Sequence, residues 1–62
     1  MILLTKLDDS KVLVNLEAVK FFESTPDTRV FFINGESLIV KESLEDIERK
    51  ASDFHKRLLN DS

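Results

Sequence analysis

The 62-residue chain has no cysteine and a single histidine, which excludes a disulfide framework and a classical zinc site. Its net charge of −3, with acids and bases interspersed, is the wrong balance for the clustered basic face that nucleic acid demands. A chain this short makes one domain, 1–62, buries only about 60% of its unfolded surface, and on per-residue scaling has about 3–9 kcal/mol of stability.

The chain reads as short strands followed by one helix. A first strand is predicted over 2–7, with Asp8-Asp9-Ser10 as its turn, because aspartate tolerates left-handed backbone and bonds its own main chain. A Val-rich second strand follows over 11–14. Asn15 then opens an Asx-type bend. The third strand is predicted over 19–24 and the fourth over 29–33, joined by Thr25-Pro26-Asp27-Thr28, where proline presets the backbone of a turn. Asn34-Gly35 is a two-residue type I′ hairpin signal leading into a fifth strand over 36–41.

Beyond residue 41 the apolar period changes from two to about three and a half. Ser43 is a fitting N-cap, with Asp46 in the capping-box position. Leu44, Ile47, Ala51, Phe54 and Leu58 form one apolar stripe. Glu45–Arg49, Asp46–Lys50 and Asp53–Arg57 are i,i+4 pairs on the other faces. The helix is placed over 44–59. The fold class expected is α+β: a small, curved antiparallel β-meander of four to five strands with one C-terminal helix.

The two turn lengths fix a register. A four-residue loop at Thr25–Thr28 sets Phe22 against Phe31 and Phe21 against Phe32. A two-residue loop at Asn34-Gly35 sets Leu38 beside Phe31 and Val30 beside Ile39. One face then carries Phe22, Phe31, Ile33, Leu38 and Val40, and the other Val19, Phe21, Val30, Phe32 and Ile39. A single helix covers one face of a sheet, so the second must be covered by the first hairpin or by another molecule. The candidate partner or self-association surface is therefore Phe21, Phe32, Val30 and Ile39, with Phe54 and Leu58 from the helix stripe. With disulfides and zinc excluded, self-association is also the staple left to so short a chain, and a homo-oligomer is expected.

No catalytic, metal or cofactor-binding residues emerge. His55 lies off the apolar stripe and reads as an exposed helical histidine. The acids Glu42, Glu45, Asp46 and Glu48 sit where capping and the helix dipole want them. No serine has a triad's surroundings, and the one glycine cannot build a phosphate loop. Charge at Lys6, Asp8 and Asp9 interrupts the apolar start, and no run reaches the ~20 residues of a membrane helix. The expected location is the cytoplasm, without membrane insertion and without nucleic acid.

At Glu23-Ser24-Thr25-Pro26-Asp27-Thr28, then Asn34-Gly35, then Val40-Lys41-Glu42-Ser43, the sequence resembles the small flagellar FlbD/SwrD family, as does the opening Ile2-Leu3-Leu4-Thr5-Lys6-Leu7. The resemblance spans nearly the whole chain. It implies a non-enzymatic accessory protein of bacterial motility and swarming, with a flagellar motor or assembly component as protein partner at the cytoplasmic side of the flagellar base. The family's turn residues carry over onto Pro26 and Asp27 and onto Asn34 and Gly35. The family's Asn-Gly in the first turn is replaced here by Asp8-Asp9, which leaves that hairpin's register open. The alternative is a small RNA- or DNA-binding regulator: Met1-Ile2-Leu3-Leu4-Thr5-Lys6 and the strands-then-helix order resemble the carbon storage regulator dimers. The acidic charge and the missing glycine-rich early turn count against it.

Overall fold

The computed structural model describes residues 1–60, with side chains through Phe54. Five antiparallel strands in two sheets precede one helix, as the α+β expectation held. Strand β1 (Ile2–Thr5) pairs with β2 (Lys11–Val14) as a hairpin. Strands β3 (Val19–Ser24), β4 (Thr28–Phe32) and β5 (Ser37–Val40) form a three-stranded meander in that order. A 3₁₀ turn at Leu16–Ala18 links β2 to β3, and helix α1 runs Leu44–Asn60.

Local chemistry explains most of the boundaries. Asp8 Oδ1 accepts from the Ser10 N–H at 3.0 Å and from its hydroxyl at 2.6 Å, closing the first turn. Asp9 takes the left-handed backbone there, with φ of 72°, the conformation a glycine adopts without strain. Asn15 Oδ1 accepts from the Glu17 N–H at 3.1 Å and starts the 3₁₀ turn. At the helix start, Ser43 Oγ accepts from the Asp46 N–H at 3.1 Å, and Asp46 reaches back toward the Ser43 N–H. The Ser43 hydroxyl and main-chain N–H, then Arg49, hold the Asp46 carboxyl below its ordinary pKa. Asp46 also pairs with Arg49 at 2.6 Å, one turn position short of the expected Lys50.

The register of the meander differs from expectation by one residue on one strand. Ser24 stands opposite Thr28, Phe22 opposite Val30, and Phe21 opposite Phe31. On the other side Val30 stands opposite Leu38. Both loops contain three residues rather than four and two. The first is Thr25-Pro26-Asp27, with a cis Thr25–Pro26 bond. In the second, the Gly35 N–H donates to Phe32 O at 3.0 Å and the Phe32 N–H to Glu36 O at 2.9 Å. Only Gly35 goes left-handed, at φ 92°, while Asn34 Oδ1 accepts from the Glu36 N–H at 2.9 Å. This is a type I turn with a glycine bulge, not the type I′ turn expected.

The two differences in loop length cancel for β3 and β5 and flip β4 alone. A one-residue slip exchanges a strand's faces. Val30 and Phe32 therefore join Phe22, Leu38 and Val40 on the inner face, and Phe31 joins Phe21 and Ile39 outside. The driving force is burial: Val30, at 0% exposure, sits at the centre of a core with Ile2, Leu4, Val14, Val40 and Ile47. The hairpin and the helix thus close over the same inner face.

Charge substitution distinguishes the two registers. Val30→Asp is expected to leave the chain unfolded, since an unpaired buried carboxylate costs more than a domain of about 3–9 kcal/mol can absorb. Phe31→Asp is expected to fold with a lowered urea midpoint, and circular dichroism of the two variants reads the difference.

Candidate interaction surface

Two features organise the exterior: a lock that joins the two sheets, and the outer face that the lock leaves uncovered. The lock centres on Thr5, the last residue of β1. Its carbonyl accepts from the Lys41 N–H at 2.8 Å. Its own N–H donates to Glu42 Oε1 at 2.8 Å, and its hydroxyl to Glu42 Oε2 at 2.7 Å. Lys11 Nζ donates to the same hydroxyl oxygen at 2.8 Å. Beside it, Lys6 and Val40 form a single antiparallel bridge, and Lys41 pairs with Asp9 across the surface. Burial works against ionisation of Glu42, but the main-chain and hydroxyl bonds from Thr5 outweigh it and hold its pKa below the ordinary value.

This lock gathers the pieces of sequence that lie far apart in the chain. Thr28 pairs with Val40, so the Pro26-Asp27 turn lies beside Lys41 and Ser43. With Leu7 these residues line an open depression of about 510 Å³. Among the described residues no group of three or more His, Asp or Glu stands ready for a metal. Two acids at the helix start are engaged: Glu42 with Thr5, and Asp46 with Ser43 and Arg49.

The outer face of the meander is built around Phe21 and Phe31. Their ring centroids lie 4.7 Å apart with planes tilted by 35°. Phe21 remains 43% exposed, and Lys20 Nζ stands 6.0 Å from its ring centre. Ile39 lies on the same face, opposite Arg29, whose guanidinium reaches Ser37 Oγ at 3.4 Å. Aromatic and aliphatic surface is thus set among Glu23, Arg29 and Lys20.

Of the residues the sequence assigned to this surface, the structure brings Phe21 and Ile39 together on the outer face. Val30 is not available to a partner, being wholly enclosed, and Phe32 packs against the core from the inner face. Both are corrections that follow from the flipped β4. Phe54 is partly buried against the core, and Leu58, like His55, lies outside the described side chains. Phe31 was the residue missed, because the turn signals placed it inside. Leu3 and Leu13, a cross-strand pair on the outside of the hairpin, were also missed. Their signal was visible: strict alternation places them opposite the inward Ile2, Leu4, Val12 and Val14.

The pattern that defines the FlbD family, described as flagellar and swarming motility proteins, matches residues 1–59. The chain belongs to the FlbD family. Comparisons with curated proteins and with solved structures return no match. Membership suggests a role in flagellar or swarming motility. In this FlbD chain no helix among the described residues is long and apolar enough to cross a membrane.

The Glu42 lock has a pH signature. A carboxylate whose folded pKa is depressed contributes stability above its unfolded pKa and loses it as pH falls through the folded value. Glu42→Gln is expected to cost about 1 kcal/mol at neutral pH, within the range for a part-exposed charged acceptor. The gap between wild type and variant should close as pH falls below the ordinary glutamate value of 4.5. Urea midpoints measured at neutral and acid pH check both the size and the direction.

Proposed function

We propose that this chain is a non-catalytic flagellar accessory protein that acts by protein–protein contact, binding a motor or assembly component at the cytoplasmic side of the flagellar base. The observation that carries this reading is the exposed Phe21, stacked on Phe31 and left uncovered by the helix and the first hairpin. Exposed aromatic side chains rimmed by charge are the usual anchors of protein interfaces. Two of the acids near the helix, Glu42 and Asp46, are occupied in the Thr5 lock and in capping. Family membership supplies the flagellar setting.

The test is affinity capture from motile cells together with a swarming assay, comparing wild type with Phe21→Ser. Phe21 lies outside the core, so the variant is expected to keep its fold, shown first by circular dichroism. It should then lose the captured flagellar component and reduce swarming. A folded variant that captures the same component and swarms normally removes this surface from the reading. Truncating an anchor aromatic typically weakens binding by about 2 kcal/mol or more, so the loss should be plain at moderate stringency.

A further inference from the structure

The hairpin has a free edge whose chemistry can be read bond by bond. The Lys6 N–H donates to Ser10 O at 2.9 Å, so Lys6 and Ser10 are a hydrogen-bonded pair. In an antiparallel ladder bonded and non-bonded pairs alternate. With Thr5 opposite Lys11 and Leu3 opposite Leu13, the bonded pairs are Leu4–Val12 and Ile2–Val14. The main-chain groups of Thr5, Lys11 and Leu13 therefore point away from the hairpin's own ladder. Thr5 proves the assignment, since its N–H and carbonyl reach Glu42 and Lys41. On the opposite edge, among the described residues, nothing meets the N–H and C=O of Lys11 and Leu13.

That edge carries one charge, Lys11, and its Nζ is turned to the Thr5 hydroxyl at 2.8 Å. Proteins blunt free edges with bulges, charges or proline. The β3 edge of the meander is guarded by a register shift between Val19 and Phe21, with Lys20 and Glu23 along it, and the β5 edge carries the Lys6–Val40 bridge. Strand β2 reads Lys-Val-Leu-Val with no irregularity in its register. Leu13 is 62% exposed and its cross-strand neighbour Leu3 is 46% exposed.

We propose that β2 pairs antiparallel with β2 of a second copy of this chain, about a two-fold axis through Leu13. A symmetric pair needs the same residue at its centre to offer both N–H and C=O outward, and Leu13 does. The register then sets Lys11 of each copy against Asn15 of the other, whose backbone is already extended at φ −81° and ψ 110°. Apolar meets apolar on both faces. The outer row runs Leu3, Leu13, Leu13, Leu3, and the inner row sets Val12 against Val14. Each Lys11 arrives at the end of the strand where the other copy carries the exposed Glu17. This charge match and the matched apolar rows select a second copy over an unrelated strand. Pairing also provides the added burial that a domain without disulfides or a metal otherwise lacks.

Sedimentation of the purified chain tests the proposal separately from any flagellar partner. Wild type is expected to show a concentration-dependent dimer, and Phe21→Ser should dimerise equally. Leu13→Pro removes the outward N–H, a group that takes no part in the β1–β2 ladder, together with the Leu13 side chain at the centre of the outer row. It should raise the dimer dissociation constant by about tenfold or more. Leu13→Lys, a charge on the edge, serves the same purpose if proline unfolds the hairpin. Should both variants unfold, amide exchange of wild type decides: protection of Leu13 must rise with protein concentration. A wild type that stays monomeric up to about 1 mM, a range that would still reveal weak association, overturns the proposal. So does a folded Leu13→Pro or Leu13→Lys variant that dimerises as wild type does, or Leu13 protection that ignores concentration.

Discussion

The architecture depends on the junction at Thr5. A two-stranded hairpin is at best marginal in water, and a three-stranded meander with one helix is scarcely larger. Thr5 fixes how the two meet, presenting its carbonyl to Lys41 and its N–H and hydroxyl to Glu42. The two sheets meet through one bridge and these side-chain bonds rather than through a full ladder. Glu42 acts as a substitute for the missing strand partner, accepting where a backbone carbonyl would otherwise stand. The core then draws on all parts of the chain: Ile2, Leu4 and Val14 from the hairpin, Val30 and Val40 from the meander, Ile47 from the helix.

Concentrating the hairpin and the helix on one face has a consequence for the other. The inner face of the meander receives Phe22, Val30, Phe32, Leu38 and Val40, and its outer face is left to Phe21, Phe31 and Ile39. Separately, the hairpin keeps Leu3 and Leu13 outside. These are two distinct surfaces with different chemistry. One is an aromatic pair framed by charge, suited to a partner's pocket. The other is an aliphatic strand edge with main-chain groups still to satisfy. The two proposed contacts, one with a flagellar component and one with a second copy, therefore do not compete for the same residues.

The flipping of β4 shows how burial overrides local turn signals. Asn34-Gly35 and the Pro26-Asp27 turn were correct as places where the chain reverses. Each loop nonetheless holds three residues; in the second, Asn34 spends its side chain on the Glu36 N–H and leaves the left-handed position to Gly35 alone. The resulting slip exchanges Val30 with Phe31. Val30 fits between Phe22 and Leu38 at the centre of the core, where a larger Phe31 would have to be accommodated.

The sequence by itself determined the order of five strands and a helix, the caps at Asn15 and Ser43, and the positions of the turns. Those are local matters, set by side chains that bond within three residues and by the apolar period. It also carried the family likeness, which the match over residues 1–59 bears out. Only the tertiary structure decided which face of β4 turns inward, that Glu42 closes on Thr5 37 positions away, and that the hairpin shares the helix's side of the sheet. Each of those rests on competition among distant groups for one small interior, and local spacing holds no record of which group wins.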